Sequence, residues 1–171
     1  MTIAILAVVV LILGFTAFFG APYVPSRRKE LKMLFDETYK LNPNDTLVDL
    51  GSGDGVVLRV AREYGASAVG YELGPVYYLM SKILARGDKQ QSIHMTSYWS
   101  ADFPKDTTVV YAFSDGRDIA KVGQLVQEQS DRLQKTLTLI TLGAQLGSYK
   151  PAKTFRAYHI YSIAPCQSTE A

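Results

Sequence analysis

The sequence is poor in the residues that hold metals and form disulfides. Its 171 residues include one cysteine, Cys166, and two histidines, His94 and His159. That inventory allows no intrachain disulfide and no cysteine-based zinc site, and it argues against a histidine-rich metal centre. Charge of one sign is scarce too: 18 basic against 16 acidic residues leave a net charge of +2, with no block of like charge. No nucleic-acid partner is expected on that balance, and no charged disordered tail. Internal repeats and low-complexity tracts are missing as well. What is present, 47% hydrophobic and 20% charged residues over the length of one domain, suits a packed core whose chemistry comes from an organic cofactor.

Charge is missing altogether from Met1 to Val24, and Ile3 to Phe19 is almost wholly apolar. With Gly20 to Tyr23 as an interfacial end, the run reaches the roughly 20 residues that cross a bilayer core of ~30 Å. Arg27, Arg28 and Lys29 follow at once. A secretory signal would open on basic residues and close on a small-x-small cleavage site, and neither is evident. The expectation is a lipid-embedded helix over 1–24 with its N-terminus outside. A domain over 25–171 would then lie on the cytoplasmic side, or at the inner mitochondrial membrane in a eukaryote.

The remaining chain alternates between two periodicities. Leu31, Leu34 and Phe35 share one helical face after Pro25-Ser26, with Ser26 as the expected N-cap. Asn42-Pro43-Asn44-Asp45 breaks that helix, and Thr46 to Leu50 reads as a short buried strand. Val57, Val60, Ala61 and Tyr64 then recur at helical spacing, and a strand is expected over Ala68 to Tyr71. A helix runs from Pro75 to about Ala85, and weaker strand character follows at Ile93 to Met95. Thr108 to Phe113 is a clear strand, Ile119 to Leu133 a long helix, and Leu137 to Leu142 a fifth strand. Thr154 to Ile163 supplies one or two more, expected to be antiparallel. Strands separated by helices of this length imply right-handed crossovers and a doubly wound, mostly parallel α/β sheet, Rossmann-like in plan. Ligands bind such sheets at the carboxyl ends of the strands.

The most informative motif is Val48-Asp49-Leu50-Gly51-Ser52-Gly53-Asp54-Gly55, placed where a strand becomes a helix. Its G-x-G-x-G spacing is neither the dinucleotide fingerprint nor a Walker loop. Asp49 and Asp54 would repel a pyrophosphate held against this turn, whereas an ammonium or sulfonium would be attracted. S-adenosylmethionine carries both. Glu72 ends the second expected strand about 20 residues beyond the loop, where an acid can accept both ribose hydroxyls. The candidate cofactor residues are Asp49, Gly51, Ser52, Gly53, Asp54 and Gly55, then Glu72 with Leu73, and Ser97 with Tyr98. The loop, the helix after it and Glu72 together resemble the class I methyltransferase pattern.

Pro22-Tyr23-Val24-Pro25, the glycine segment from Leu47, Ala68-Val69-Gly70-Tyr71-Glu72-Leu73 and Tyr98-Trp99 follow one another in order. In this the chain resembles the membrane-anchored protein-lysine methyltransferases that act on the ATP synthase c subunit and the adenine nucleotide translocase. The resemblance implies S-adenosyl-L-methionine as cofactor and a lysine of a membrane protein as methyl acceptor. It covers Pro22 to Trp99 and fades afterwards. The family carries Arg at the position of Val56, Asn at that of Gly74, and at that of Ser97 an Asp that serves the adenine. A lipophilic small-molecule acceptor, or a degenerate tethered interaction module, are the rival readings.

Asp115 follows the fourth strand, where the substrate amine arrives in this fold; it either orients that amine as the catalytic residue or turns the chain into the next helix. Tyr98 and Trp99 are expected chiefly as packing. His94 is read as a satisfied structural histidine, and Tyr158 to Tyr161 as a half-exposed strand.

Overall fold

The computed structural model describes residues 26–114, 116–147 and 149–166. The expected N-terminal span and Asp115 lie outside the described residues. No helix among the described residues is long and apolar enough to cross a membrane.

Seven strands form one sheet: β1 (Thr46–Leu50), β2 (Ser67–Tyr71), β3 (Gln91–His94), β4 (Val109–Ser114), β5 (Leu137–Gly143), β6 (Lys153–Phe155) and β7 (Tyr158–Ile163). Their order is β3-β2-β1-β4-β5-β7-β6. The first five strands pair in parallel, and β7 pairs antiparallel with both β5 and β6. The doubly wound reading therefore holds, including the antiparallel end. β1 is buried along its whole length because helices cover both faces of the sheet.

One layer holds α1 (Arg28–Met33), the π-helical turn that extends it (Leu34–Thr38), α2 (Val56–Glu63) and α3 (Pro75–Leu84). Leu31, Leu34, Phe35, Val57, Leu58 and Ala61 of this layer pack against Leu47, Val109 and Ile140 of the sheet. The opposite layer is α4 (Ile119–Leu133), whose Ile119, Val122, Leu125 and Val126 meet Val48, Val110 and Leu139. Side chains alternate along each strand, so the sheet divides its apolar residues between the two layers.

Polar side chains tie the elements at their ends. Arg62, near the end of α2, donates to the carbonyls of Gly65 and Ala66, to Asp88 and to Gln90. It thereby joins the start of β2 to the loop before β3. Glu63 pairs with Arg28 and Lys32, fixing α1 against α2.

Three local expectations are corrected. Ser26 does not cap α1; Arg27 occupies the N-cap without a side-chain bond, and the Ser26 hydroxyl bonds Tyr111 Oη at 2.8 Å. A buried phenol needs a partner, and Ser26 supplies it. His94 is exposed, because β3 is an edge strand in which alternate side chains face water. Its ring lies against Tyr71, 5.7 Å between centroids. Tyr158 to Tyr161 are all buried, because β7 is flanked by two strands and covered on both faces.

Candidate functional site

The crossover from β1 runs toward β2, and the crossover from β4 runs the other way, toward β5. The crevice between the carboxyl ends of β1 and β4 is thus the switch point where an open α/β sheet takes its ligand. The glycine turn occupies this position. Gly51, Gly53 and Gly55 have φ of 83°, 53° and 78°, values that L side chains seldom adopt, so the motif is glycine-rich for conformational reasons. The amides of Gly51 and Ser52 both donate to the carbonyl of Tyr71 at 3.0 Å, which locks the turn to the end of β2. A Cβ on Gly51 would meet nothing within 4 Å, so the turn faces open space there. At Gly55 the opposite holds, since a Cβ would run into the Ser81 hydroxyl of α3.

Glu72 directly follows β2. Its Oε2 accepts from the Gly53 amide at 2.8 Å, and its Oε1 from the Gly74 amide at 2.6 Å. The acid is thus bound to the glycine turn itself, which holds the carboxylate at the mouth of the crevice. Asp54 accepts from the amide of Val56 at 3.1 Å and pairs with Arg59 at 3.2 Å. Arg59 also donates to the Asp54 carbonyl, which clamps the turn to the first coil of α2. The sequence offered only one clue to this arginine, its place one turn into the helix.

Asp49 lies within β1, level with Gly70 of β2 and Tyr111 of β4. It is 3% exposed. Burial raises its carboxyl well above the usual range, and the neighbouring charges of Glu72 and Asp54 raise it further. Asp49 thus feels two further carboxyls near the glycine turn, a setting that favours a cation. Tyr111, on the same face, has its phenol raised by burial and then by Tyr158.

The other sequence candidates are placed less uniformly. Ser52 contributes its backbone, for its side chain is buried over Gly70 with no hydrogen-bond partner. Leu73 is exposed next to Glu72. Ser97 Oγ accepts from the amide of Trp99 at 3.4 Å, so its hydroxyl serves a single 3-10 turn over Tyr98–Ser100. Tyr98 is half-buried against the α4 layer, and its ring lies tilted against Trp99, 4.6 Å between centroids. Trp99 itself remains exposed. Among the described residues no cluster of His, Cys, Asp and Glu could hold a metal ion.

A seven-stranded sheet of this order, with a glycine turn after β1 and an acid after β2, is the fold of the class I, S-adenosylmethionine-dependent methyltransferases. In sequence the chain is similar to the lysine N-methyltransferases of the ATP synthase c subunit. It is 31% identical to the Xenopus laevis enzyme over 123 residues, which is 68% of this chain and 48% of that one. Against the human enzyme it is 29% identical over 123 residues, 68% of this chain and 47% of that one. The chain spans about half the length of these curated relatives. No family model matches it.

Solved structures agree on the fold. An RNA methyltransferase from Salinibacter ruber in complex with S-adenosyl-L-homocysteine superposes with a TM-score of 0.69 at 21% identity, covering 82% of this chain and 94% of that one. The geranyl diphosphate C-methyltransferase of Streptomyces coelicolor A3(2), in complex with S-adenosyl-L-homocysteine, gives 0.53 at 22% identity, covering 66% and 45%.

Proposed function

We propose that this protein is an S-adenosylmethionine-dependent methyltransferase that modifies a lysine of a membrane protein at a membrane surface. The observation that carries the reading is the bond between Glu72 and the Gly53 amide, which unites the glycine turn and the acid in one crevice at the switch point. The residues present fit the cofactor: the carboxyls of Asp49, Asp54 and Glu72, a setting that favours a cation, lie near a turn that faces open space at Gly51. The basic side chain beside the turn, Arg59, is engaged by Asp54. Asp49, Asp54 and the turn formed by Gly51, Ser52, Gly53 and Gly55 would hold the methionine end. Glu72 and Leu73 would take the ribose, while Ser97 and Tyr98 flank the adenine.

When bound, S-adenosylmethionine supplies a methyl group already activated by its sulfonium. The protein's part is to align the acceptor and exclude water. An acceptor lysine must be neutral, which desolvation favours by lowering its pKa. Asp115, next after Ser114 at the end of β4, is assigned to orient that amine or receive its proton. The uncharged run over 1–24 is assigned to the bilayer, where tethering raises the effective concentration of a membrane-bound target.

Incubating the full chain with tritiated S-adenosylmethionine and a membrane fraction tests this. Label recovered as methyl-lysine in protein is the predicted result. Label in the lipid extract would replace the acceptor with a lipophilic small molecule. Absence of any label, with the chain folded, would contradict the reading.

A further inference from the structure

Helix α3 is packed the wrong way round for an ordinary surface helix. Its sheet-facing side carries Ser81, which is 0% exposed, with the half-buried Tyr77 and Tyr78. Its outer side carries Val76, Leu79, Met80, Ile83 and Leu84, with Leu73 just before it. Ile83 is 63% exposed and Leu79 57%. The other two long helices do the reverse: α2 buries Val57, Leu58, Val60 and Ala61, and α4 buries Ile119, Val122, Leu125 and Val126. Six of the nine exposed large apolar side chains among the described residues lie between Leu73 and Leu84. Met95 is exposed too, just after His94, whose carbonyl accepts from the Glu72 amide at 3.0 Å. Scattered exposed leucines need no explanation, but a contiguous apolar helix face does.

The charges on this stretch are mostly basic. From Leu73 to Ala101 the ionised side chains are Lys82, Arg86, Lys89 and one acid, Asp88. Asp88 is held by Arg62 at 2.8 Å. Lys82, Arg86 and Lys89 are exposed; Lys82 falls on the flank of the apolar arc, its ammonium 5.9 Å from the Tyr78 ring centroid, and Arg86 follows just past the end of the helix. An apolar stripe bordered by cations matches a bilayer whose acyl boundary takes the stripe and whose anionic headgroups meet the fringe.

We propose that the outer face of α3 docks on an anionic lipid bilayer, lying in the interface plane and holding the crevice at the carboxyl ends of the strands against the membrane. The proposal rests on the membrane part of the function above and not on its chemistry. It goes further by giving the domain a defined orientation, with α3 in lipid and α4, on the opposite layer, in water. That orientation sets the Gly51–Gly55 turn, which Ser81 of α3 touches through Gly55, within one helix diameter of the headgroups.

The test uses the full chain reconstituted in vesicles of phosphatidylcholine, with and without phosphatidylglycerol. The exposed Cys166 is replaced by serine, and a fluorophore is attached through Ile83→Cys on α3 or Gln124→Cys on α4. Nitroxide lipids are expected to quench the α3 label strongly in the anionic vesicles and leave the α4 label unchanged. Lys82→Gln with Arg86→Gln should weaken the docked state by about fivefold per charge. Vesicle flotation after alkaline extraction reports the N-terminal span separately. Flotation with an unquenched α3 label overturns this proposal and leaves the membrane reading standing. Loss of both flotation and quenching in either lipid overturns both. An α3 label that responds to protein concentration without lipid overturns it in favour of a second copy of the chain.

Discussion

Asp49 illustrates how the chemistry of the site rests on single residues. Its carboxyl is raised by burial first and by Glu72 and Asp54 next. A carboxyl raised in the folded state holds more protons there than in the unfolded chain. Its contribution to stability is therefore most favourable at low pH and declines as pH rises from the ordinary carboxylate range through the raised value. A cationic ligand favours the ionised form and should expel that proton. Calorimetry of S-adenosylmethionine in buffers of different ionisation enthalpy, run from the ordinary carboxylate range upward while the ligand's α-amine stays protonated, is expected to show proton release wherever Asp49 still holds its proton. The release should vanish in Asp49→Asn; an unchanged release in that variant would assign the proton elsewhere. Gly55 makes a structural prediction at the same scale. Its φ is 78°, and a Cβ would strike Ser81. Gly55→Ala is expected to cost about 1–3 kcal/mol, with part recovered by adding Ser81→Ala. Thermal unfolding of the two variants measures it, and an unchanged melting temperature for Gly55→Ala would refute the packing argument.

Among the elements, α2 and α3 look alike in sequence and behave differently in the fold. Both carry apolar residues at helical spacing, yet Leu58 is fully buried and Ile83 is largely exposed. Leu58→Ala is expected to destabilise by about 2–5 kcal/mol, whereas Ile83→Ser should change stability by no more than about 0.5 kcal/mol. Chemical denaturation of the two variants checks the contrast, and a costly Ile83→Ser would mean that α3 turns its apolar side inward. Periodicity reveals that a segment is helical but not which side the sheet receives, so this reversal was illegible from the residues alone. The alternation of strand and helix was legible, because each parallel strand is a short apolar run separated by a helix-length crossover. So was the glycine turn, whose spacing and acid imply a shape and a ligand charge. Ser26 was not, since capping preference is a local rule and its partner Tyr111 lies 85 residues away. Nor was the exposure of His94: Ile93 and Met95 beside it suggested burial, and only the pairing order reveals β3 as an edge. Arg62 is another long-range tie. Replacing it with alanine strips partners from two backbone carbonyls, Asp88 and Gln90, and an expected loss of about 1–3 kcal/mol should appear in the same denaturation series.

For the whole molecule, the fold concentrates its consequences at one end. The glycine turn, Glu72 and the start of α3 share the carboxyl edge of the sheet. Ser26, the first described residue, is bonded to Tyr111 of β4 on the α1 layer. The proposed reaction depends on the crevice holding S-adenosylmethionine. The most direct measurement is calorimetric titration of the full chain in detergent with S-adenosylmethionine and S-adenosylhomocysteine, alongside Glu72→Ala. Micromolar binding, about −8 kcal/mol, that weakens at least about tenfold in the variant is the predicted result, because Glu72 both orders the Gly53 and Gly74 amides and faces the proposed ribose site. A folded chain that binds neither ligand, or a variant that binds as tightly as the parent, would contradict the account.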